Sequence, residues 1–238
     1  MMLTLQDLLR TRTAQPPLNK AMYFSGVNSY IKFSASSSLD VRYSFTVLAW
    51  VKPITGGDFP IFTWQFPGGT WGIHVWRVYQ ALFTRVIPRT GGWTTSLNVG
   101  SIPTKQWSFP TSTYDYGSGV IKHYVNASFA GQLSIGSYEL STNGDTYTGK
   151  VPWDGRALNG YIAQILVYSR ALSASEIIHN MSNPNNPIRG GLVLWLDARA
   201  CDTSKNICWD LSGNDNHGTM YNVQIVSLSN PVRVGGSL

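Results

Sequence analysis

The sequence predicts an all-β sandwich of two antiparallel sheets, with a short N-terminal helix and one short helix near residues 173–180. Three observations carry this. Nine Trp and twelve Tyr stand in a chain with only 13% charged residues, which suits broad strands packed face to face. Apolar and polar residues alternate in Trp71-Gly-Ile-His-Val-Trp76 and in Lys122-His-Tyr-Val-Asn126. Tyr161-Ile-Ala-Gln-Ile-Leu-Val-Tyr168 is nearly continuous apolar, as a central strand covered on both faces requires.

The elements follow in order. Leu3-Thr-Leu-Gln-Asp-Leu-Leu-Arg10 has apolar residues at 3, 5, 8 and 9, the pattern of a short amphipathic helix ending before Pro16-Pro17. Such a helix is too short to be stable alone, so it should dock on something. From Ala21 to Tyr168 the chain reads as strand after strand. Ser173-Ala-Ser-Glu176 reads as a capping box opening a helix through Ile177 and Ile178. Asn183-Pro-Asn-Asn-Pro-Ile188 stops it, because Pro184 and Pro187 cannot continue a helix. About fifty residues then remain, too few for an independent core. We therefore expect residues 1–20 as an extension and 21–238 as one domain, with Gly191–Asp197 and Thr219–Val226 returning to the main sheet as two strands.

Several function classes are weakened by composition. With 43% hydrophobic residues in 238 the chain can bury a sizeable core, so disorder is not expected. The net charge of +6 arises from few acids, and Arg77, Arg85, Arg89, Lys105, Lys122 and Arg170 are scattered singly, so specific nucleic-acid binding is not predicted. No run of about 20 apolar residues offers a membrane span. Residues 1–19 contain Asp7, Arg10 and Arg12 without a long apolar core, so they do not read as a secretory signal peptide.

Cys201 and Cys208 are the only cysteines, with six residues between them in a turn-rich segment. Two more ligands at zinc spacing are lacking. A disulfide is favoured over two free thiols, and with it an oxidising setting or a very stable protein.

Six motifs carry a family resemblance. They are Phe24-Ser-Gly-Val-Asn-Ser-Tyr-Ile31, Phe45-Thr-Val-Leu-Ala-Trp-Val-Lys-Pro53, Trp107 to Thr113-Tyr-Asp115, Tyr124-Val-Asn126, Leu133-Ser-Ile-Gly136, and Gly160-Tyr-Ile to Ser175-Glu-Ile177. In this order they resemble the laminin-G-like, concanavalin A-like lectin/glucanase jelly rolls. The resemblance runs from about Met22 to Val226. It departs in one arrangement: Gly191-Leu-Val-Leu-Trp-Leu-Asp197 and Asp210-Leu-Ser-Gly-Asn-Asp-Asn-His-Gly218, which usually open this fold, here close it. A circular permutation is the expected reading. Local departures are Ser108, where the family often has His, Ala163 and Gln164, where an acid is common, and Ala127, where the hairpin usually has Gly. Both central residues of a type I′ turn need positive φ, so Asn126-Ala127 is expected to give a longer or distorted hairpin.

The resemblance implies recognition, and the residues offer little catalytic chemistry beside it. Glycoside hydrolysis needs two carboxylates across the scissile bond. The only two Glu, Glu139 and Glu176, lie far apart in sequence, and no paired-acid strand exists. The four His (His74, His123, His179, His217) lack any nucleophile context. In strands, His74 and His123 read as hydrogen-bonded structural residues, so a non-enzyme is expected. Calcium, which many relatives bind, is weighed at Asp210, Asn214 and Asp215, against a plain tight turn in which Asp210 caps onward amides and Asn214 or Asn216 takes positive φ. Asp58, Asp145 and Asp154 are weaker candidates.

Sugar binding brings in the aromatic residues: a ring face stacks on a pyranose while polar groups take its hydroxyls. Trp64, Trp71, Trp93, Tyr114 and Trp153 are the candidates, with Tyr116 and Tyr147 in similar loops; for Trp64, Trp71 and Trp93 a core or subunit contact is the favoured competing reading. Trp50, Trp107 and Trp195 are expected in the core. The functional expectation is a non-catalytic recognition or attachment module for a glycan or cell-surface protein, acting as a homo-oligomer or as a subunit of an extracellular or virion surface assembly. The alternatives are a purely structural virion or surface-layer building block and, more distantly, a glycoside hydrolase. Asn126-Ala-Ser128 and Asn180-Met-Ser182 match the N-glycosylation pattern.

Overall fold

The computed structural model describes residues 16–65, 72–92 and 94–228. The expected helix at 3–10, Trp71 and Trp93 thus lie outside the described residues. In chain order the strands are β1 (Lys20–Ser25), β2 (Tyr30–Phe33), β3 (Phe45–Pro53), β4 (Phe59–Trp64), β5 (His74–Val78), β6 (Ala81–Arg85), β7 (Leu97–Ser101), β8 (Pro110–Asp115), β9 (Val120–Val125), β10 (Ser128–Ser134), β11 (Thr146–Thr148), β12 (Asn159–Tyr168), β13 (Leu192–Asp202), β14 (Ile207–Asp210), β15 (Gly218–Tyr221) and β16 (Gln224–Ser227). Helix α1 (Ala174–Ser182) lies between β12 and β13.

The strands pair antiparallel in the order β10-β9-β8-β3-β12-β13-β14-β15-β2-β11-β4-β5-β6-β7. One layer runs from β10 to β13, with β1 beside β12 and β16 beside β1. The other runs from β14 to β7. The hydrogen-bond ladder is continuous between them through β13 and β14, whose register shifts between Leu196 and Cys201. A bulge bends a strand and sharpens its twist, which is what a sheet folding over itself needs.

Alternation along the strands builds three apolar clusters. Between the layers lie Phe24, Phe33, Phe45, Val47, Trp64, Ile165 and Leu196, among others. On the outer face of the first layer, Trp50, Trp107, Leu166, Tyr168 and Trp195 pack beneath Ile177 and Met181 of α1. Strand β12 feeds both clusters, so its nearly continuous apolar run is the one expected of a strand covered on two sides. Trp50, Trp107 and Trp195 are core residues as expected. A smaller cluster of Trp76, Tyr147 and Val151, with Tyr30, Phe83 and Trp153 against it, sits on the outer face of the second layer.

Helix α1 begins at the capping box read from the sequence. The Ser173 hydroxyl accepts from the Glu176 amide, and the Glu176 carboxylate accepts from the Ser173 amide. Two donors that a helix start leaves without partners are thereby satisfied. Arg170 holds the same carboxylate at 2.6 Å. Inside the sandwich a polar chain bridges the layers: the His123 ring (β9) meets the Thr84 hydroxyl (β6) at 2.8 Å and the Val99 carbonyl (β7) at 3.3 Å. Ser112 (β8) meets Thr84 at 2.8 Å. Burial holds the His123 imidazole down at about 4, against the pull of the Val99 and Leu82 carbonyls.

Three expectations change here. Asn126-Ala127 forms a plain two-residue turn, with φ of 52° and 60° and Val125 opposite Ser128. The strain of Ala127 is offset because Asn126 exchanges two bonds with the Phe109 backbone and the Ala127 methyl is buried. The distortion sits one pair later, between Phe129 and Gly131. Thr219–Val226 forms two strands, not one. Asn222 takes φ of 52°, accepts from the Ser29 hydroxyl and donates to the Asn28 carbonyl, so β15 joins β2 while β16 joins β1 in the other layer. In the Asp210 turn, positive φ falls on Gly213 and Asp215 rather than on Asn214 or Asn216. Cys201 and Cys208 are opposite one another in the β13–β14 ladder and form a disulfide. Strands β13 to β16 are all hydrogen-bonded into the sheet that β1 and β2 share.

Candidate functional site

The site is built outward from the β5–β6 hairpin. Val78 pairs with Ala81, so Tyr79 and Gln80 form a two-residue turn at φ of 48° and 65°. Asn-Gly is the usual choice there, because each L side chain in this region costs about 1–2 kcal/mol. Tyr79 is nonetheless 86% exposed, so burial of its own ring does not offset the strain. Neighbouring elements hold the turn: the Tyr79 amide donates to the Asp58 carboxylate at 2.9 Å, and the Ile102 amide donates to the Gln80 carbonyl at 2.7 Å.

Arg77, one residue inside β5, is fully buried. Its guanidinium donates to the Ile102 carbonyl, the Gly57 carbonyl and the Thr104 hydroxyl. One side chain therefore ties the β3–β4 loop to the β7–β8 loop. Burial lowers its pKa and the Asp58 charge opposes that. Around it opens a cleft of about 510 Å³, lined by Gly56, Gly57, Asp58, Arg77, Tyr79, Gln80 and Arg156. Its wall offers an exposed ring, an acceptor carboxylate, a side-chain amide and two glycines above which space is open.

Arg156 joins this cleft to the outer face of the second layer. Its guanidinium lies 4.4 Å from the Trp76 ring and is clamped by Asp154 at 2.6 Å. His74 stacks on Trp76 at 5.2 Å. Burial first, then Arg85 and Arg156, push the His74 imidazole down to about 3, with Asp154 opposing. Beyond Trp76 the face carries Trp153, Tyr147, Tyr30 and Tyr221, with Lys32 and Asp145 paired at 2.7 Å.

The sequence candidates divide. Trp153 stands edge-on to Tyr147 at 5.2 Å on this outer face. Trp64 does not line any loop: it is fully buried, and its indole N–H donates to the Leu39 carbonyl. Tyr114 is likewise buried, its hydroxyl bonded to the Gly136 carbonyl and accepting from the Tyr138 amide. Both adjoin turn residues in sequence, yet each lies in a strand and is buried. Tyr116 packs on Tyr43 in other loops.

The Asp210 turn is closed on itself. One carboxylate oxygen accepts from the Trp195 and Ser212 amides, the other from the Asn216 amide and the Ser212 hydroxyl. Asn214 donates to the Leu192 carbonyl, and Asp215 turns away to solvent. The donors on Asp210 are thus three backbone amides and a hydroxyl of the protein itself. Among the described residues no three His, Cys, Asp or Glu side chains gather into a metal-holding group.

Both glutamates are ion-paired. Arg170 and then the Ser173 contacts hold Glu176 down at about 2, the opposite of a general acid, and Glu139 lies between Arg42 and Arg89. Asn180 is buried and bonded to Tyr168 and Ile188, so its N-glycosylation pattern is not accessible in the fold.

Sequence reading missed Tyr79, Gln80 and Arg77 as site residues. Tyr-Gln carries no turn signal, and Arg77 reads as one more scattered base.

A model of the concanavalin A-like lectin/glucanases superfamily matches residues 25–178. No curated protein matches the chain. Among solved structures, the chain is similar to a provisionally named carbohydrate-binding protein from Bacteroides ovatus ATCC 8483, with a TM-score of 0.72 and 20% identity. That match covers 92% of this chain and 62% of the other. A heptameric SAP-like pentraxin from Limulus polyphemus is similar with a TM-score of 0.52 and 17% identity, over 74% of this chain and 87% of its own. At these identities the likeness is one of fold.

Proposed function

The chain belongs to the concanavalin A-like lectin/glucanase superfamily, and from that premise we propose that it is a non-catalytic recognition module for glycans. The observation that carries this reading is the cleft under Tyr79: an exposed ring held in a strained turn over a buried arginine. Strain of this kind persists only where the surroundings enforce it, and it clusters at ligand sites. Tyr79 would stack on the apolar face of a pyranose, and Asp58, Gln80 and Arg156 would take its hydroxyls. The carbohydrate-binding description of the Bacteroides ovatus protein supports the same reading. The separated, ion-paired glutamates favour binding over hydrolysis.

Where the module works is part of the proposal. The disulfide fits an extracellular or otherwise oxidising setting. Among the described residues no helix is long and apolar enough to cross a membrane. We also propose that it serves within a surface assembly or virion. The solution mass of the full chain, beside one lacking residues 1–19, tests that, and a monomer in both cases removes the assembly role.

The binding test is an array of neutral, sialylated and sulfated glycans probed with the full chain and with Tyr79→Ala, followed by calorimetry. Binding that Tyr79→Ala reduces at least tenfold, with an unchanged melting curve, supports the reading. Absence of binding across the array, or binding indifferent to Tyr79, refutes it and leaves the purely structural alternative.

A further inference from the structure

Resting on the cleft reading, we infer that Arg77 is the positioning residue of the site: it sets the geometry of the groups that meet the sugar without meeting the sugar itself. The side chain borders the cleft from below yet is fully buried, so it acts through its neighbours. Each of its three nitrogens serves a different residue. Nε donates to the Ile102 carbonyl, Nη1 to the Gly57 carbonyl and Nη2 to the Thr104 hydroxyl. These bonds close a ring around the cleft wall. Next to Gly57 stands Asp58, whose carboxylate accepts from the Tyr79 amide. Next to Tyr79 stands Gln80, whose carbonyl accepts from the Ile102 amide, and the Ile102 carbonyl leads back to Arg77. One circuit therefore holds Asp58, Tyr79 and Gln80 in place together.

The segments joined by this ring need an external fixing. Thr55, Gly56 and Gly57 are exposed, and the two glycines bring no side chain to pack. Gly57 sits at φ of 131°, and Tyr79 and Gln80 hold positive φ against their own preference. On the other side, the Lys105 amide donates to the Pro53 carbonyl and anchors the β7–β8 loop to the end of β3. Arg77 thus ties an exposed glycine loop to an anchored one. Lysine cannot replace it. A single ammonium nitrogen cannot stand at three places, whereas the planar guanidinium reaches all three and lies 5.7 Å from the centre of the buried Phe59 ring. A wall ordered before the sugar arrives spares binding the cost of ordering it, and affinity rises accordingly.

The test sets Arg77→Lys and Thr104→Val beside the natural full chain in two measurements. Amide hydrogen exchange reads the ring, and the array of neutral, sialylated and sulfated glycans reads binding. Arg77→Lys should speed exchange at Tyr79 and Ile102 about tenfold and weaken the Tyr79-dependent array signals about tenfold, with the β3 and β12 amides near their natural rates. Thr104→Val keeps the side chain's shape, removes one of the three acceptors, and should shift both readouts the same way by less. It also decides the matter should Arg77→Lys fail to fold. Faster exchange spread evenly through β3 and β12 makes Arg77 a support of the whole fold and overturns the inference. Unchanged array signals in variants whose Tyr79 and Ile102 amides exchange faster overturn it too. A natural chain that binds nothing on the array overturns the glycan reading instead, and the exchange rates still decide whether Arg77 positions the cleft wall.

Discussion

Acidification from pH 7 to pH 5 should remove about 4 kcal/mol of folding stability, through two buried histidines. Folding holds His74 at about 3 and His123 at about 4, against 6.5 for the free side chain. Both folded values are depressed bases, so the native state favours neutral imidazole while the unfolded chain takes up protons as pH falls through 6.5. Their stabilisation is complete above that value and declines as pH falls toward the folded ones. At pH 5 each unfolded imidazole is almost fully protonated and each folded one almost fully neutral, a difference of about 2 kcal/mol per residue. Against a typical stability of about 5–15 kcal/mol, that loss is large. Carboxylates do not mask it: Glu176, held at about 2, contributes its own loss only below pH 5.

The assay is urea unfolding followed by Trp fluorescence at pH 7, 6 and 5. His123→Gln keeps a polar group near Thr84 and should roughly halve the pH slope, and the double variant with His74→Gln should flatten it. Stability at pH 5 within about 1 kcal/mol of that at pH 7 would refute the reasoning, because the slope follows from proton counts alone.

Replacing Tyr79-Gln80 with Asn-Gly should raise stability by about 1 kcal/mol in denaturant melts and abolish glycan binding, since the turn relaxes as the stacking ring is lost. A stabilised variant that still binds would remove Tyr79 from the site. Cys201→Ser with Cys208→Ser should lower stability by about 2.5 kcal/mol, the chain-entropy value for so short a loop, and dithiothreitol should have the same effect on the natural chain. Glu176→Gln should lose part of the cap and the Arg170 pair, about 1 kcal/mol at pH 7, and the difference from the natural chain should shrink as pH falls toward 2. Ala127→Gly should change stability by under 1 kcal/mol, because relief of positive φ is set against a buried methyl.

Much of the fold was legible because it depends on local periodicity. The run Tyr161–Tyr168 specified a doubly covered strand before any partner was known, and Ser173 with Glu176 specified where α1 begins. The Cys spacing and the Pro/Asn stop after α1 likewise needed nothing beyond their neighbours. The expectation at Ala127 failed for an opposite reason. Its φ is tolerated through bonds to Phe109, a residue eighteen positions earlier whose placement no local rule supplies.

The site was hidden in the same way. A Trp or Tyr beside turn residues can fall on either side of a strand, and strand parity sent Trp64 and Tyr114 inward while Trp153 remained at the surface. From sequence Asp210 reads as the cap of a tight turn or as an oxygen donor for a cation, and the fold brings four N–H and O–H donors onto it. Conversely, nothing near Arg77 in sequence announces a clamp, because Gly57 and Thr104 reach it only when two loops meet at one end of the sandwich. The sequence by itself determined which segments become strands and which family they build, since burial pattern and capping act over a few residues. The tertiary structure decided which rings face solvent and which acids are already satisfied, because those depend on partners that chain order keeps far apart.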